Sequence, residues 1–465
     1  MEQKKDTKKK EIKTVWEKYD EYGLNCISNF NEDYRLFLSN AKTEREFVVE
    51  AVKLVEDAGF VNLKFIDGPV KPGQKIYAVN KNKNLAAFVI GEEPLTEGMN
   101  ILGAHIDSPR MDLKQKPIYE KNGLVLLDTH YYGGIKKYQW VARPMALHGI
   151  VCRKDGSSVN IVIGEDPNDP VVGVSDLLIH LAGKQMAKTG ATVVEGEALN
   201  LLAGSRPKKD EEKDPVKAYL LDLLKEKYEI EEEDFVSAEI EVVPAGPARD
   251  YGLDRSMIMG YGHDDRVCAY TSLRAILEMK TPKHTSCVIL TDKEEIGSVG
   301  ATGAHSRWFE MLCAKLLNLN GITSIVELNE MYENCSMLSS DVSAAFDPNY
   351  ADVNDPNNCA YFGKGVVFNK YTGARGKSGS NDANPEFIAK IRRALAEDEV
   401  MYQTSELGAV DVGGGGTIAY ILAQLNMDVI DAGIAVQNMH APCEIVSKAD
   451  VYEAYRAYVS FLKRM

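Results

Sequence analysis

Two adjacent glutamates, Glu294 and Glu295, stand where paired carboxylates could carry out chemistry. They follow the apolar, partly β-branched run 286–290, which predicts a buried strand, and they precede a turn at Gly297. Clefts in α/β proteins form at the carboxyl ends of strands, so both side chains could face one cleft. One carboxylate could then bind a metal ion while the other moves a proton. On this stretch alone, a solvent-exposed turn explains the pair at least as well.

Four more stretches combine a histidine or a carboxylate with turn-forming residues at predicted strand ends. Each alone has an ordinary explanation, such as a packed histidine, a turn aspartate, or a helix N-cap at Asp264 or Asp265. Together they supply the imidazole and carboxylate donors that suit zinc. The four stretches are His105-Ile106-Asp107, His263-Asp264-Asp265, Ser340-Asp341 and Met439-His440.

These donors are sufficient for two metal ions that share a bridging carboxylate, because each ion then needs about three protein ligands and an open position. The candidate ligands are His105, Asp264, Glu295, Asp341 and His440. Asp107 is expected to orient the imidazole of His105 and to raise its basicity. Glu294 is then the carboxylate left free for proton transfer.

The elements that must position these side chains lie in two separate parts of the chain. Residues 1–110 and 256–465 alternate predicted helices and strands, so they are expected to form one α/β domain. Residues 111–255 contain short strands separated by Gly, Asp and Pro, which predicts an inserted β-rich domain. We also predict a strand at 63–66 and, within the insert, an amphipathic helix at 176–186. Further helices are predicted at 215–228, 265–278, 385–397 and 448–464.

The composition narrows the class of protein. The 465 residues are 45% hydrophobic and 26% charged, which is typical of a soluble protein with two or three domains. A formal charge of −15 argues against nucleic acid or an anionic membrane as a partner. The eight cysteines form no CxxC pair, so we expect reduced thiols in a cytoplasmic protein. The lysine-rich start is not typical of a signal peptide, and the best apolar run, 417–427, is too short to span a membrane.

The motifs and their order are specific. In chain order they are HxDSP from His105, GHDD from Gly262, DKEEIGS from Asp292, SSDVSAAFDPNY from Ser339 and MHAPCEI from Met439. Over nearly the whole chain, this order resembles the aspartyl aminopeptidases, a family of cytosolic exopeptidases with two zinc ions. The resemblance implies a three-layer α/β/α metallopeptidase domain with a mixed sheet, interrupted by a β-rich dimerisation domain.

The resemblance also implies roles for the candidate residues. Glu294 would be the general base that takes a proton from the attacking water and returns it to the leaving amine. The peptide bond between Asp264 and Asp265 is expected to be cis. Cobalt or manganese would accept the same ligands as zinc. The implied ligands are His105, Asp264 and Asp341 for one ion, and Asp264, Glu295 and His440 for the other, with Asp264 bridging.

The family removes N-terminal Asp or Glu from peptides, which implies a cation for the substrate carboxylate. Lys370 is the first candidate, with Arg375 and Lys377 behind it, in a segment whose composition also suits a solvent-exposed basic loop. His180, on the predicted helix 176–186, corresponds to a family histidine that reaches a neighbouring subunit's active site and helps to hold the oxyanion. The family's dimers assemble into tetrahedral dodecamers, which implies a homo-oligomer here.

Other functions remain open from the residues alone. A dinuclear zinc deacylase or carboxypeptidase would use the same ligands, and only the requirement for a free α-amino group separates it from an aminopeptidase. A metal-stabilised oligomeric scaffold is the non-enzymatic alternative, although structural zinc sites are usually closed and rich in cysteine. A glycosidase that uses Glu294 with a second acid leaves His105 and His440 unexplained.

Overall fold

The computed structural model describes residues 13–465, apart from the side chains of residues 374 and 375, so the start of the chain lies outside the described residues. In this part of the chain, no helix has the length and hydropathy needed to cross a bilayer. The α-helices are α1 (Val15–Lys18), α2 (Glu21–Asn40), α3 (Glu44–Asp57), α4 (Gly183–Met186), α5 (Pro215–Tyr228), α6 (His263–Leu277), α7 (Trp308–Leu319), α8 (Ile325–Glu333), α9 (Ala374–Lys377), α10 (Pro385–Glu397), α11 (Ala419–Ala423) and α12 (Lys448–Arg464). The strands are β1 (Val61–Asn62), β2 (Lys75–Asn80), β3 (Asn84–Val89), β4 (Met99–His105), β5 (Arg110–Lys121), β6 (Leu124–Tyr132), β7 (Met145–Cys152), β8 (Ser158–Ile163), β9 (Gly173–Val174), β10 (Leu201–Gly204), β11 (Ala238–Pro244), β12 (Arg249–Tyr251), β13 (Met257–Gly260), β14 (Thr285–Thr291), β15 (Ser336–Ser339), β16 (Ser343–Ala344), β17 (Val366–Asn369), β18 (Tyr402–Thr404), β19 (Asp428–Gly433), β20 (Ala435–Gln437) and β21 (Glu444–Ser447).

The largest sheet in the described residues has the strand order β1-β2-β3-β14-β4-β15-β19-β17-β18 and mixes parallel with antiparallel neighbours. At its centre, β4 is parallel to both β14 and β15, and β15 is parallel to β19. One hydrophobic core includes residues of α2, α3, α6 and α12, and the other includes residues of α7, α8 and α11. Helices therefore cover both faces, which confirms the predicted three-layer α/β/α fold with a mixed sheet.

A second sheet has the strand order β8-β7-β11-β5-β6-β10-β9 and a hydrophobic core of its own. Its strands lie between Arg110 and Pro244, in the part of the chain where a β-rich insert was predicted. A third, smaller sheet has the order β12-β13-β21-β20-β16. The division into a domain of residues 1–110 plus 256–465 and an inserted dimerisation domain of residues 111–255 stays a prediction.

The central strand β14 and the last helix α12 show how the local sequence forms these elements. Every residue of β14 is buried, as expected for an interior strand that helices cover on both faces. In α12, the buried residues Val451, Ala454, Tyr458 and Phe461 recur at helical spacing and pack into the main core. The apolar run of β14 and the helical periodicity of α12 both agree with the observed burial, which is why the positions of the two elements were predictable.

Two predicted elements are wrong. Residues 63–66 form a 3₁₀ turn at Leu63–Phe65 instead of a strand, because the side chain of Asn62 caps the turn. The predicted helix at 176–186 is a 3₁₀ turn at Ile179–Leu181 followed by the single turn α4. The side chains of Ile179 and Leu181 are 71% and 69% exposed, so burial within this chain does not stabilise a longer helix there.

Candidate metal centre

Three strands of the largest sheet deliver predicted site residues to the same edge. His105 is the last residue of β4, Glu294 and Glu295 form the 3₁₀ turn after β14, and Asp341 follows β15. Because β14 and β15 flank β4 and run parallel to it, their carboxyl ends meet at one edge. Residues that are far apart in the chain thus reach one cleft.

Asp264 stands between the two histidines at the start of α6. One of its carboxylate oxygens, Oδ1, lies 3.2 Å from Nε2 of His105, and the other, Oδ2, lies 3.2 Å from Nε2 of His440. The peptide bond that joins Asp264 to Asp265 is cis, as the family resemblance implied. The two oxygens of one carboxylate face two different histidines, which is the arrangement that a bridging ligand requires.

Two more carboxylates complete the groups around the histidines. Oδ1 of Asp341 lies 3.9 Å from Nε2 of His105, and Oε2 of Glu295 lies 3.5 Å from Nε2 of His440. The structure therefore brings together the six residues that were predicted to bind metal or to act as the base. Three sets of donor atoms each lie within 4.8 Å of one another: Asp264, Glu295 and His440; His105, Asp265 and Asp341; and His105, Glu294 and Glu295.

Asp107 is fully buried and holds two parts of this cluster. Its Oδ1 lies 3.3 Å from Nδ1 of His105, and its backbone carbonyl oxygen lies 3.1 Å from the same nitrogen. The N–H groups of Glu294 and Glu295 donate to Oδ1 and Oδ2 of Asp107 at 3.1 and 3.2 Å. Asp107 is placed both to orient the histidine ring and to fix the turn that carries the two glutamates.

Glu444 is a supporting residue that was not predicted from the sequence. Its Oε2 accepts a hydrogen bond from the N–H of Asp264 at 3.0 Å, and its Oε1 accepts one from the N–H of His440 at 2.8 Å. Burial, followed by the charge of Asp264, raises the pKa of Glu444 to about 8. Its position shortly after His440 in the MHAPCEI motif was a usable signal.

Two further contacts come from the second sheet and were also missed. The hydroxyl of Tyr132 donates to Oδ2 of Asp107 at 2.9 Å. Nδ1 of His440 lies 2.7 Å from the carbonyl oxygen of Gly134, so the ring donates to this carbonyl. Nothing in the local sequence indicates these contacts, because they depend on how the two sheets pack together.

Burial dominates the electrostatics of the cluster. It raises the pKa of Glu294 to about 7 and holds the pKa values of Glu295 and Asp341 well above their usual range. Burial also disfavours the charge of Asp264, but the contacts with His105 and His440 bring the pKa of this carboxyl below its usual value. Among the described side chains, no lysine or arginine forms an ion pair with these carboxylates. A cluster of carboxylates and histidines without lysine or arginine partners is suited to divalent metal ions.

The cluster opens into a cavity of about 550 Å³, a size that accommodates one end of a peptide. Outside the cluster, the wall contains one further carboxyl side chain, Asp431, and none of its described side chains belongs to lysine or arginine. Besides the cluster, the wall includes Asn369, Thr372, Leu407, Gly414, Gly415, Gly416, Thr417, Tyr420 and Met439.

The structure does not bring the predicted substrate-binding lysines into this cavity. Nζ of Lys370 lies 2.7 Å from Oδ1 of Asp382, and Nζ of Lys377 lies 3.0 Å from Oδ2 of the same residue. Lys370 lines a neighbouring cavity, whereas Asn369 lines the metal-site cavity. The side chain of Arg375 lies outside the described residues, so its predicted role is untested.

His180 is not brought to the cavity either. It lies in the exposed 3₁₀ turn at Ile179–Leu181 of the second sheet's region, and its side chain is exposed. The predicted role of this histidine is consistent with its exposure but stays a prediction.

The sheet edge, the histidine–carboxylate cluster and the cavity together define a metal-dependent α/β hydrolase. The family described as "Aminopeptidase I zinc metalloprotease (M18)" matches residues 37–462. The chain belongs to this M18 family of zinc aminopeptidases, which confirms the family resemblance. Membership favours a metalloaminopeptidase over the deacylase, carboxypeptidase and scaffold alternatives.

Individual members of the family align with this chain over almost its full length. The probable M18 family aminopeptidase 1 of Clostridium acetobutylicum is 58% identical over 457 residues, which cover 97% of this chain and 98% of that protein. The crystal structure of an M18 aminopeptidase from Thermotoga maritima matches with a TM-score of 0.94 at 46% identity and covers 98% of this chain and 100% of that one. Aminopeptidase I from Clostridium acetobutylicum matches with a TM-score of 0.90 at 56% identity, covering 98% and 99%.

Proposed function

We propose that this zinc aminopeptidase binds two metal ions per subunit and removes the N-terminal residue of peptides, with Glu294 as the general base. The observation that carries the proposal is the position of Asp264, whose two oxygens each lie 3.2 Å from a different histidine. The ligand sets that we propose are His105, Asp264 and Asp341 for one ion, and Asp264, Glu295 and His440 for the other.

The donor set fits the proposed ions. Imidazole and carboxylate are good ligands for zinc, and cobalt or manganese would also accept them. The buried Oε1 of Glu295 has no hydrogen-bond partner among the described residues, as expected for an oxygen atom that is positioned to bind a cation. When bound, zinc would supply Lewis acidity that lowers the pKa of a water molecule and polarises the peptide carbonyl.

Glu294 is the carboxylate that these ligand sets leave free. Its backbone is fixed by Asp107, and its side chain lines the cavity beside His105 and Glu295. From there Glu294 can take a proton from the attacking water and later return it to the leaving amine. The surrounding carboxylates also attract a positively charged α-amino group, which favours a substrate that presents a free N-terminus.

The test combines metal analysis with a chelator-sensitive peptidase assay. Glu294→Gln should retain zinc and lose turnover by about 10²–10⁴-fold, because proton transfer typically contributes that much. Glu330→Gln changes an exposed glutamate on α8 and should leave both quantities unchanged. Near-normal turnover of Glu294→Gln, or equal cleavage of an N-acetylated peptide, would contradict the proposal.

We propose that the preferred N-terminal residue is Asp or Glu, as in the aspartyl aminopeptidases. The support is that Asn369 and Thr372, on either side of Lys370, line the cavity, and that Lys370 and Lys377 share the single carboxylate of Asp382. A panel of aminoacyl-naphthylamides tests this preference, with Lys370→Met expected to lose activity on Asp and Glu only. Faster cleavage after Leu or Lys than after Asp and Glu would reject the acidic preference.

We also propose a homo-oligomer built from dimers, with a tetrahedral dodecamer as the expected assembly. The support is the exposed apolar group around His180, formed by Leu178, Ile179 and Leu181. One solved structure with the same fold, at 20% identity and a TM-score of 0.76, is described as a dodecamer. Size-exclusion chromatography with light scattering tests the assembly, and Ile179→Asp should shift it towards smaller species.

We further propose a cytoplasmic location. All eight cysteines are free thiols, and those at 268, 287, 313, 335 and 359 are buried, which suits a reducing compartment. Fractionation of the native cells, with marker enzymes for each compartment, checks this location. Recovery of the activity in the medium or in an oxidising compartment would contradict it.

A further inference from the structure

At the end of β6, residues of the second sheet contact the cluster of proposed metal ligands. β6 ends at Tyr132, whose hydroxyl donates to Oδ2 of Asp107 at 2.9 Å. Asp107 in turn contacts Nδ1 of His105 and accepts the N–H groups of Glu294 and Glu295. The Tyr132 hydroxyl therefore helps to hold the Asp107 carboxylate, which in turn orients His105 and fixes the turn of Glu294 and Glu295.

The next two residues contact the other side of the cluster. The carbonyl oxygen of Gly134 accepts from Nδ1 of His440 at 2.7 Å, which leaves Nε2 facing Asp264. At Gly133, where φ is +73°, a Cβ atom would lie 3.3 Å from Oε2 of Glu295. Glycine at this position allows the backbone to approach the cluster closely.

The ring of Tyr132 is itself held in place. The guanidinium carbon of Arg110 lies 3.9 Å from the ring centroid, and Nε of Arg110 pairs with Asp112 at 2.8 Å and with Glu241 at 3.1 Å. Burial, followed by the nearby charge of Asp107, holds the pKa of Tyr132 well above its usual range. The hydroxyl thus keeps its proton and acts only as a donor to the carboxylate.

We propose that residues 132–134, which we call the β6 corner, position the metal ligands. Tyr132 acts through Asp107 on His105 and on the glutamate turn, and Gly134 orients His440. This inference rests on the ligand sets of the proposed function. It gives the second sheet a role in building the metal centre, in addition to its proposed role in assembly.

The direct test is Tyr132→Phe, which removes one hydroxyl and keeps the ring against Arg110. Zinc affinity, measured by competition with a chromogenic chelator, should fall about 10- to 100-fold, the usual effect of losing a residue that orients a metal ligand. At saturating zinc, kcat should fall by more than KM changes. The matched control is Tyr77→Phe on β2, which removes a hydroxyl that donates to Glu56 and should leave zinc affinity unchanged.

A double-mutant cycle separates positioning from general destabilisation. If Tyr132 acts through Asp107, Tyr132→Phe combined with Asp107→Asn should bind zinc about as well as Asp107→Asn alone, because coupled residues are not additive. Gly133→Ala is an independent variant, and its methyl group near Glu295 should also weaken zinc binding.

Two results would overturn the inference: a zinc affinity of Tyr132→Phe within about twofold of the wild type, or full additivity in the cycle. Failure of the proposed function looks different. In that case the wild-type chain itself binds no zinc, or Glu294→Gln stays active. An inactive Glu294→Gln alongside a normal Tyr132→Phe removes only the role of the β6 corner.

Discussion

Two groups of possible metal-binding side chains in this protein have similar spacing and burial but differ in the charges around them. Each group offers three possible metal donors within 4.8 Å of one another. One lies at the edge of the largest sheet and opens into the cavity, and the other, which we call the boundary cluster, joins the largest sheet to the second. The groups are Asp264, Glu295 and His440 at the sheet edge, and Glu44, Glu239 and Glu241 in the boundary cluster.

The boundary cluster contains its own counter-charges. Nζ of Lys83 lies 2.8 Å from Glu44 and 2.7 Å from Glu239, and Nε of Arg110 lies 3.1 Å from Glu241. Burial disfavours the charge of Glu44, but Arg110 and Lys83 bring the pKa of this carboxyl below its usual value. Burial holds the pKa of Glu241 well above its usual range, and the charge of Arg110 acts in the opposite direction. Protein side chains already neutralise these carboxylates.

The comparison shows that a count of neighbouring carboxylates does not identify a metal site. Carboxylates that lysine and arginine neutralise form a closed ion-pair network with little to gain from a metal. At the sheet edge, the described residues include no such pairing for Asp264 or Glu295, and there a divalent cation can supply the missing charge. The four predictions below test this distinction.

The largest effect is expected for Asp264→Asn, because this change removes the carboxylate shared by both proposed ions. Loss of metal assistance worth several kcal/mol corresponds to a fall in activity of about 10³-fold or more, and zinc content should fall as well. Glu239→Gln removes a carboxylate from the boundary cluster and serves as the matched control, with unchanged zinc content. Equal zinc loss in the two variants, measured by metal analysis, would remove the distinction between the clusters.

The sequence located the candidate ligands because each one stands at or shortly after the end of a strand, in the largest sheet for His105, Glu295 and Asp341, and in the third sheet for Asp264 and His440. His105, Glu294 and Asp341 are local features of β4, β14 and β15, and strand topology alone brings them together. The supporting contacts of Tyr132 and Gly134 could not be predicted this way. They depend on the packing of one sheet against another, which no local pattern records.

Lys370 illustrates a different limit. It directly follows β17, and successive side chains of an extended segment point in opposite directions. Asn369 lines the metal-site cavity, whereas Lys370 lines the neighbouring one. The sequence located a segment that lines the cavity, but it could not show which of two adjacent side chains faces this cavity. The role of Lys370 in binding an acidic substrate stays a prediction.

The second largest effect is expected in the boundary cluster. Lys83→Met should lower the free energy of unfolding by about 3–5 kcal/mol, because it leaves buried carboxylates without their partner, and zinc content should stay unchanged. Lys53→Met breaks an exposed pair with Glu50 and should cost about 1 kcal/mol or less. Chemical denaturation of the metal-free proteins measures both values. Loss of zinc from Lys83→Met at unchanged stability would show that the boundary cluster is misassigned.

Metal removal should have a smaller effect on stability. Zinc at 100 times its dissociation constant stabilises the folded chain by about 2.7 kcal/mol, so a chelator should lower the thermal midpoint of the wild type. Lys83→Met should have a lower thermal midpoint than the wild type but show the same zinc-dependent shift. Asp264→Asn should lose most of this shift. A shift of full size in Asp264→Asn would show that the stabilising metal binds elsewhere.

The smallest effect is a pH dependence at the boundary of the two sheets. Nδ1 of His148 lies 2.6 Å from Glu46 and Nε2 lies 3.0 Å from Glu165, which also pairs with Lys42. Burial alone would lower the pKa of His148, but the two carboxylates raise it above its usual value. Because the pKa of this histidine is higher in the folded than in the unfolded chain, its contribution to stability is complete below the unfolded pKa of about 6.5. The contribution is lost as the pH rises through the folded value.

The measurement is the free energy of unfolding of the metal-free wild type and of His148→Gln at a series of pH values. The difference between them should be largest near pH 6 and shrink as the pH rises. Stabilisation by zinc should change in the opposite sense, because protons compete with the metal for histidine and carboxylate ligands at low pH. A constant difference between the two proteins would show that His148 contributes only as a neutral hydrogen-bonding group. The opposite pH trends have one cause, which is whether a metal ion can replace the proton of the histidine. His148 pairs with carboxylates in a closed ion-pair network, whereas His105 and His440 contact carboxylates where a metal ion can bind.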